Sequence, residues 1–395
     1  MKWFLALWSL LTIVFLSCTA TASAQSATYR VFFVDKGPDV FAPGTDLYNQ
    51  TLALFNERAL ERRRKVHSSD NLLTREDAPL YRLYLDSVAR HAAILLHLRW
   101  ANYAVVECTS EDSAAISRFS FVQKVQRTSS QVRTLSSASP AVAMSPLFAV
   151  QATDDNCGEF RYGPSYEQVA SINVQPLHRL GITGKGVLLG FLDSGFRWRN
   201  HTSTSHADVR AEYDFIFGDS LTANQEVDIP SQDDHGTLVF STVAGFLQDR
   251  LIGTAPDASF LLGKTEDIRS EKHIEEDNYA AALEWMESQG VDIVTSSLGY
   301  FNFDSEQENY TYDQLDGKTT IVARAVNRAV DRGVICITAA GNEGFNVSTG
   351  TIISPGDADS VITVAAANLE HDGAARFSSR GPRGDGKRKP DIAAQ

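Results

Sequence analysis

The sequence predicts an α/β fold, a parallel-sheet sandwich with helices on both faces, preceded by a small α+β domain. Three observations lead there. Residues 187–192, VLLGFL, are large and apolar except for Gly190, a run too short for a helix and suited to a strand buried on both faces. From Gln168 onward, five apolar runs of this kind alternate with helical stretches, the pattern of a parallel sheet covered on both sides. Ahead of them, a segment of roughly 100 residues carries shorter elements and ends in 128–146, which is rich in Ser, Ala and Pro and reads as a linker.

The first 24 residues stand apart. Lys2 gives a basic start, 3–16 is almost wholly apolar, and Ala22-Ser23-Ala24 makes a small-residue cleavage site. This is the pattern of a secretory signal peptide cut before Gln25. The alternative, an uncleaved anchor, needs a longer apolar core, so no stable membrane anchor is expected. Residues 29–35 then read as a strand and 52–66 as a helix. That helix ends in Arg62-Arg63-Arg64-Lys65, where positive charge suits a helix C-terminus. A solvated helix end is the simplest reading; a processing signal or an acidic partner is the alternative. Residues 80–89 read as helix, 94–100 and 103–107 as strands, 114–119 as a short helix and 122–127 as a strand.

In the second half, the strands fall at 187–192, 259–264, 291–296, 334–339 and 361–366, and the helices at 236–246, 274–289 and 320–331. Functional sites in such sheets lie beyond the carboxyl ends of the strands, and small or polar groups collect there. Asp193 ends the first strand, Ser296-Ser297-Leu298-Gly299 the third, and Ala339-Ala340-Gly341-Asn342 the fourth, while Asp233-Asp234-His235-Gly236-Thr237 opens a helix. An Asp and a His are what nucleophilic hydrolysis needs behind a Ser. The imidazole takes the hydroxyl proton, and the carboxylate fixes its tautomer and stabilises the imidazolium. An Asn amide can donate to the oxyanion of a tetrahedral intermediate. Each residue alone has a structural alternative, since Asn in a Gly-Asn turn and Asp at a strand end are common turn formers.

These residues sit inside six motifs. They are GKGVLLGFLDSGF at 184–196, DDHGTLVFSTVAG at 233–245, GTAPDASFLLGK at 253–264, SSLG at 296–299, AAGNEG at 339–344 and FSSRGPRGDGKRKPDIAA at 377–394. In this order they resemble the subtilisin-like serine proteases, the subtilases, over 165–395. The resemblance implies Asp193 as the aspartate, His235 as the general base and Asn342 as the oxyanion donor. It implies that Ser297, Leu298, Gly299, Ala339 and Gly341 line the cleft for the substrate side chain, where an extended peptide adds as a strand. Residues 25–127 resemble the pro-regions of secreted subtilases, with 128–164 as the processing region; a permanent N-terminal domain is the alternative. Two departures stand out. Leu238 occupies a position where the family usually has a second His, and the family's Gly-Thr-Ser segment, which follows the KPDIAA stretch, does not occur within these 395 residues. The expectation is a secreted endopeptidase made as a zymogen, with its serine beyond Gln395. The alternative is a catalytically inactive binding protein on the same fold.

Other classes fit less well. The net charge of −13 argues against nucleic acid as a partner. Gly181, Gly184 and Gly186 cluster, but they precede the strand, whereas a dinucleotide fingerprint follows one. The expected partners are peptide substrates and the chain's own pro-region, and a monomer is expected. No cofactor is required for the chemistry. A structural calcium ion stays open with no site assigned: Asp208 resembles a family calcium position, and the carboxylates within 266–277 read as a solvated acidic loop. Cys18 leaves with the leader, and Cys108, Cys157 and Cys336 define no disulfide framework; Cys336, in the apolar run VICIT, reads as a buried free thiol.

Overall fold

The computed structural model describes residues 26–68, 71–128, 160–305, 308–345, 351–368 and 373–394. The leader, Cys18, Cys157 and most of the linker lie outside the described residues.

The N-terminal module runs β1 (Ala27–Phe33), α1 (Asp46–Leu52), α2 (Glu57–Arg64), α3 (Arg82–Val88), β2 (Ala93–Leu98), β3 (Tyr103–Cys108), α4 (Ser110–Ile116) and β4 (Val122–Arg127). The helix expected over 52–66 is shorter, α2 alone: α1 ends at Leu52, and the Asn56 side chain accepts the Ala59 N–H at 2.9 Å and starts α2 afresh. Its strands form an antiparallel sheet in the order β2-β3-β1-β4. Strand alternation divides β1 between two cores. Tyr29, Val31 and Phe33 pack with Leu80, Val88 and Ile116 inside the module. Phe32, on the opposite face, joins the core of the larger domain.

That domain begins with the short helices α5 (Tyr166–Ser171) and α6 (Gln175–Arg179). It continues with β5 (Leu188–Asp193), β6 (Asp208–Asp214), α7 (Asp234–Ala244), the hairpin β7 (Phe246–Leu247) and β8 (Leu251–Ile252), β9 (Ser259–Lys264) and α8 (His273–Ser288). Then follow β10 (Ile293–Ser296), α9 (Ile321–Asp331), β11 (Ile335–Ala339), β12 (Ile362–Ala366) and β13 (Ile392–Ala394). Seven strands form a parallel sheet in the order β13-β12-β11-β10-β5-β9-β6. β5 is buried along its whole length. Leu189 and Phe191 pack under Phe240 of α7, while Leu188 and Leu192 face the layer of α8 and α9. A strand buried on both faces is what the unbroken apolar run required.

The outer side of the α8 and α9 layer is covered by the module's sheet. Phe32, Leu98, Trp100, Tyr103 and Val105 share one core with Tyr279, Leu283, Ile321 and Val326. Buried charges lock this contact, and two sequence expectations are corrected there. Arg62 and Arg63 are not a solvated helix end: both are buried. Arg63 donates to both Asp77 oxygens and to both oxygens of Glu287 at 2.8–3.0 Å, and Arg62 also donates to Glu287. The acidic partner is the chain's own α8. Likewise the 266–277 carboxylates are not a solvated loop, since Glu266, Glu275, Glu276 and Asp277 are all buried. Asp277 takes Arg30 Nε at 2.7 Å. Two turns further along α8, Glu284 accepts the backbone N–H groups of Arg99 and Trp100 at 2.9 and 2.8 Å. Residues 276, 277, 284 and 287 lie on one helical face. Arg64 and Lys65 of the basic cluster behave as expected: both are exposed, and Arg64 pairs with Glu57.

Candidate active site

The sheet brings three strand ends to one level. Leu192 of β5 pairs with Ser296 of β10, and Ser296 pairs with Thr338 of β11. The next residues, Asp193, Ser297 and Ala339, therefore leave neighbouring strands side by side. α7 comes down onto this edge through Gly236: a Cβ there would lie 2.2 Å from the Gly195 carbonyl oxygen and 3.0 Å from Asp193 Cβ. Only a glycine permits that approach, and it puts the preceding residue, His235, over the end of β5.

Asp193 is buried. Its Oδ1 lies 2.8 Å from His235 Nδ1, and it also accepts the Ser194 N–H at 2.7 Å and the Ser194 hydroxyl at 3.2 Å. Its Oδ2 is buried with no hydrogen-bond donor among the described residues. A carboxylate can only accept, so Nδ1 carries the proton, and Nε2 of the neutral ring holds a free lone pair. The imidazole is half exposed. The hydrogen bond to Asp193 raises the His235 pKa above the ordinary value, against a smaller opposing effect of burial. The pair is therefore an oriented base whose protonated form is stabilised by a buried carboxylate.

The neighbouring residues expected from sequence fall around this edge. Ser297 is exposed, and Leu298 and Gly299 are half-buried. Ala339 and Gly341 are half-buried on the adjacent segment, and Asn342 follows them, exposed. Leu238 is exposed on α7 and takes no part in the Asp–His hydrogen bond. Sequence reasoning passed over Gln232, which is fully buried and donates to the carbonyls of Ser194 and Glu266, tying the loop before α7 to two strand ends. It also passed over Ser194 as a second donor to Asp193. Their positions beside Asp233 and Asp193 were the available signal.

A buried acidic group lies behind the site. Glu266, Glu271 and Glu275 bring carboxylate oxygens within 4.8 Å of one another. Burial pushes Glu266 up to about 8 and Glu271 up to about 7, helped by neighbouring carboxylates. Tyr300 donates to Glu266, and Glu275 accepts the Asp267 and Lys272 N–H groups. These are the residues whose donor chemistry could hold a cation. Asp208 is engaged otherwise, by Ser259 and Arg210 at 2.7 Å each.

A parallel sheet carrying a carboxylate-oriented imidazole at its carboxyl edge holds an acid–base pair where the sites of such sheets lie. Comparison with known proteins gives the family. The subtilase family, peptidase S8, matches residues 184–395, and the peptidase S8 propeptide domain of Bacteroidota matches 28–142. The chain belongs to the subtilase family of serine proteases and carries its own propeptide domain. It is 30% identical over 229 residues to serine protease AprX of Bacillus subtilis, covering 54% of this chain and 47% of that protein. It is 31% identical over 218 residues to subtilisin E of the same organism, covering 54% and 49%. The chain thus spans about half the length of these curated relatives. The fold is also that of the epidermin leader peptide processing serine protease of Staphylococcus aureus, with a TM-score of 0.52 at 15% identity over 94% of this chain and 75% of that one. Among the described residues, no helix is long and apolar enough to cross a membrane.

Proposed function

We propose that the gene product is a secreted endopeptidase that hydrolyses peptide bonds by Asp-His-Ser chemistry and is made as a zymogen. The leader 1–24 directs export and is cut before Gln25. His235 takes the proton of the attacking serine hydroxyl through Nε2 and returns it to the leaving amine. Asp193 fixes the tautomer and stabilises the imidazolium. Asn342 donates to the oxyanion. Ser297, Leu298 and Gly299 on one side and Ala339 and Gly341 on the other hold an extended peptide, which adds between them as a strand. The chemistry needs no cofactor. The N-terminal module, docked on α8 and α9, is the pro-region.

The observation that carries this reading is the 2.8 Å contact between Asp193 and His235, side chains 42 residues apart that meet at the end of β5. The test is cleavage of an unfolded protein by the complete gene product. His235→Ala should abolish it. Activity retained in that variant refutes the reading.

A further inference from the structure

We propose that Ile353 closes the substrate cleft and restricts it to small side chains at the residue preceding the cleaved bond. The inference rests on the protease reading above and adds its substrate class. The cleft walls are the segments that leave β10 and β11, 297–299 and 339–341. The segment 352–354 is slung between them. Its Ile353 N–H donates to the Ala340 carbonyl at 3.2 Å on one wall, and Ser354 exchanges backbone hydrogen bonds with Tyr300 at 2.7 and 3.3 Å on the other. The side chains alternate along it. Ile352 and Ser354 are fully buried, Ile352 against Ala340 and Ala365, while Ile353 is half-buried and turned the other way.

The Ile353 side chain touches both walls at once. Its Cδ1 and Cγ1 lie 2.1 and 2.6 Å from the place a Cβ on Gly299 would occupy. The same two atoms lie 2.8 and 2.7 Å from the place a Cβ on Gly341 would occupy. Both walls are glycine where they meet it, and the four-carbon side chain takes up the space between them. A β-branched side chain has little rotameric freedom with which to swing aside, and its neighbours are held in place, Ile352 by burial and Ser354 by its hydrogen bonds to Tyr300. A substrate methyl group fits above it; an aromatic or long side chain would have to displace it, and packed interiors resist such insertion.

The test uses the complete gene product and peptides identical except for Ala, Leu or Phe at the residue before the cleaved bond. The expected result is a kcat/KM for Ala above that for Phe by about tenfold or more, the scale on which apolar pockets discriminate by size. Ile353→Ala, and Ile353→Gly if it folds, should shift the preference toward Leu and Phe. A wild-type preference for Phe, or a profile that Ile353→Ala leaves unmoved, overturns the inference while leaving the protease reading intact. Failure to cleave any of the peptides or an unfolded protein overturns the protease reading and the inference with it.

Discussion

Replacing Glu287 by Ala tests what holds the N-terminal module to the helix layer. Glu287 is fully buried and receives Arg62 and both Nε and Nη2 of Arg63. Without it Arg63 keeps Asp77, but Arg62 is left buried with only the carbonyls of Val291, Arg332 and residue 287 itself. Removing one member of a buried ion pair costs about 3–5 kcal/mol, because the other charge stays desolvated. At about 1.4 kcal/mol per factor of ten, docking should weaken roughly 140- to 4,000-fold. The module has its own apolar core, so it should undock before it unfolds. Hydrogen exchange along 93–98 and 103–108 during a urea titration reads that step. A shift of the docking midpoint equivalent to less than about 1 kcal/mol, the scale of an exposed surface pair, would refute the argument. Burial raises the Asp77 carboxyl, but the hydrogen bonds from Arg63 and the charge of Arg332 outweigh it and hold it well below the usual range. Its folded pKa is depressed, so its stabilisation is complete above the ordinary value of about 3.9 and is lost only as pH falls toward the lower folded value.

Two further outcomes follow from the site. Asn342→Ala should lower kcat with little change in KM, by about 10²–10³, the effect of losing the oxyanion asparagine in subtilisin itself; a pure KM effect would move Asn342 out of that role. Glu271→Gln should raise the thermal midpoint above pH 7 and leave it unchanged near pH 4. The Glu271 and Glu266 carboxyls are raised to about 7 and about 8 by burial, so the stability they permit is full below about 4.3, the ordinary glutamate value, and is lost as pH rises through the folded values. Differential scanning calorimetry at the two pH values checks it, and an unchanged midpoint at pH 9 would show that the group is not buried in charge repulsion.

The sequence exposed those parts of the fold that rest on local pattern. β9 lies where the apolar run placed it, and β5, β10, β11 and β12 lie within about two residues of theirs, because a strand buried on both faces has no polar interruption. β6 escaped notice for the opposite reason: Asp208, Arg210, Glu212 and Asp214 alternate through it, and although Glu212 and Asp214 are buried, their partners Arg199 and Lys264 could not be read from the local pattern. β13 has three residues, too few to show a period. Asp193 and His235 were legible because they stand inside two of six motifs, at 184–196 and 233–245, that occur together in one order. Arg62, Arg63, Glu276 and Asp277 were not legible, since a charged residue on a predicted helix reads as solvated unless its partner is known, and Glu287 lies 224 residues from Arg63. The role of Ile353 was invisible for the same reason. An apolar residue in a loop says nothing until the two glycines it fills against are brought beside it.

The measurement closest to the central claim is the rate at which a fluorophosphonate labels the active serine of the complete gene product as a function of pH. The labelling rate should rise with the loss of one proton from a group whose pKa lies above the ordinary histidine value of about 6.5, as the hydrogen bond that His235 donates to Asp193 requires. Asp193→Asn should slow labelling by about 10⁴. Labelling that ignores pH between 5 and 9, or that survives Asp193→Asn within about tenfold, would contradict an oriented imidazole as the base.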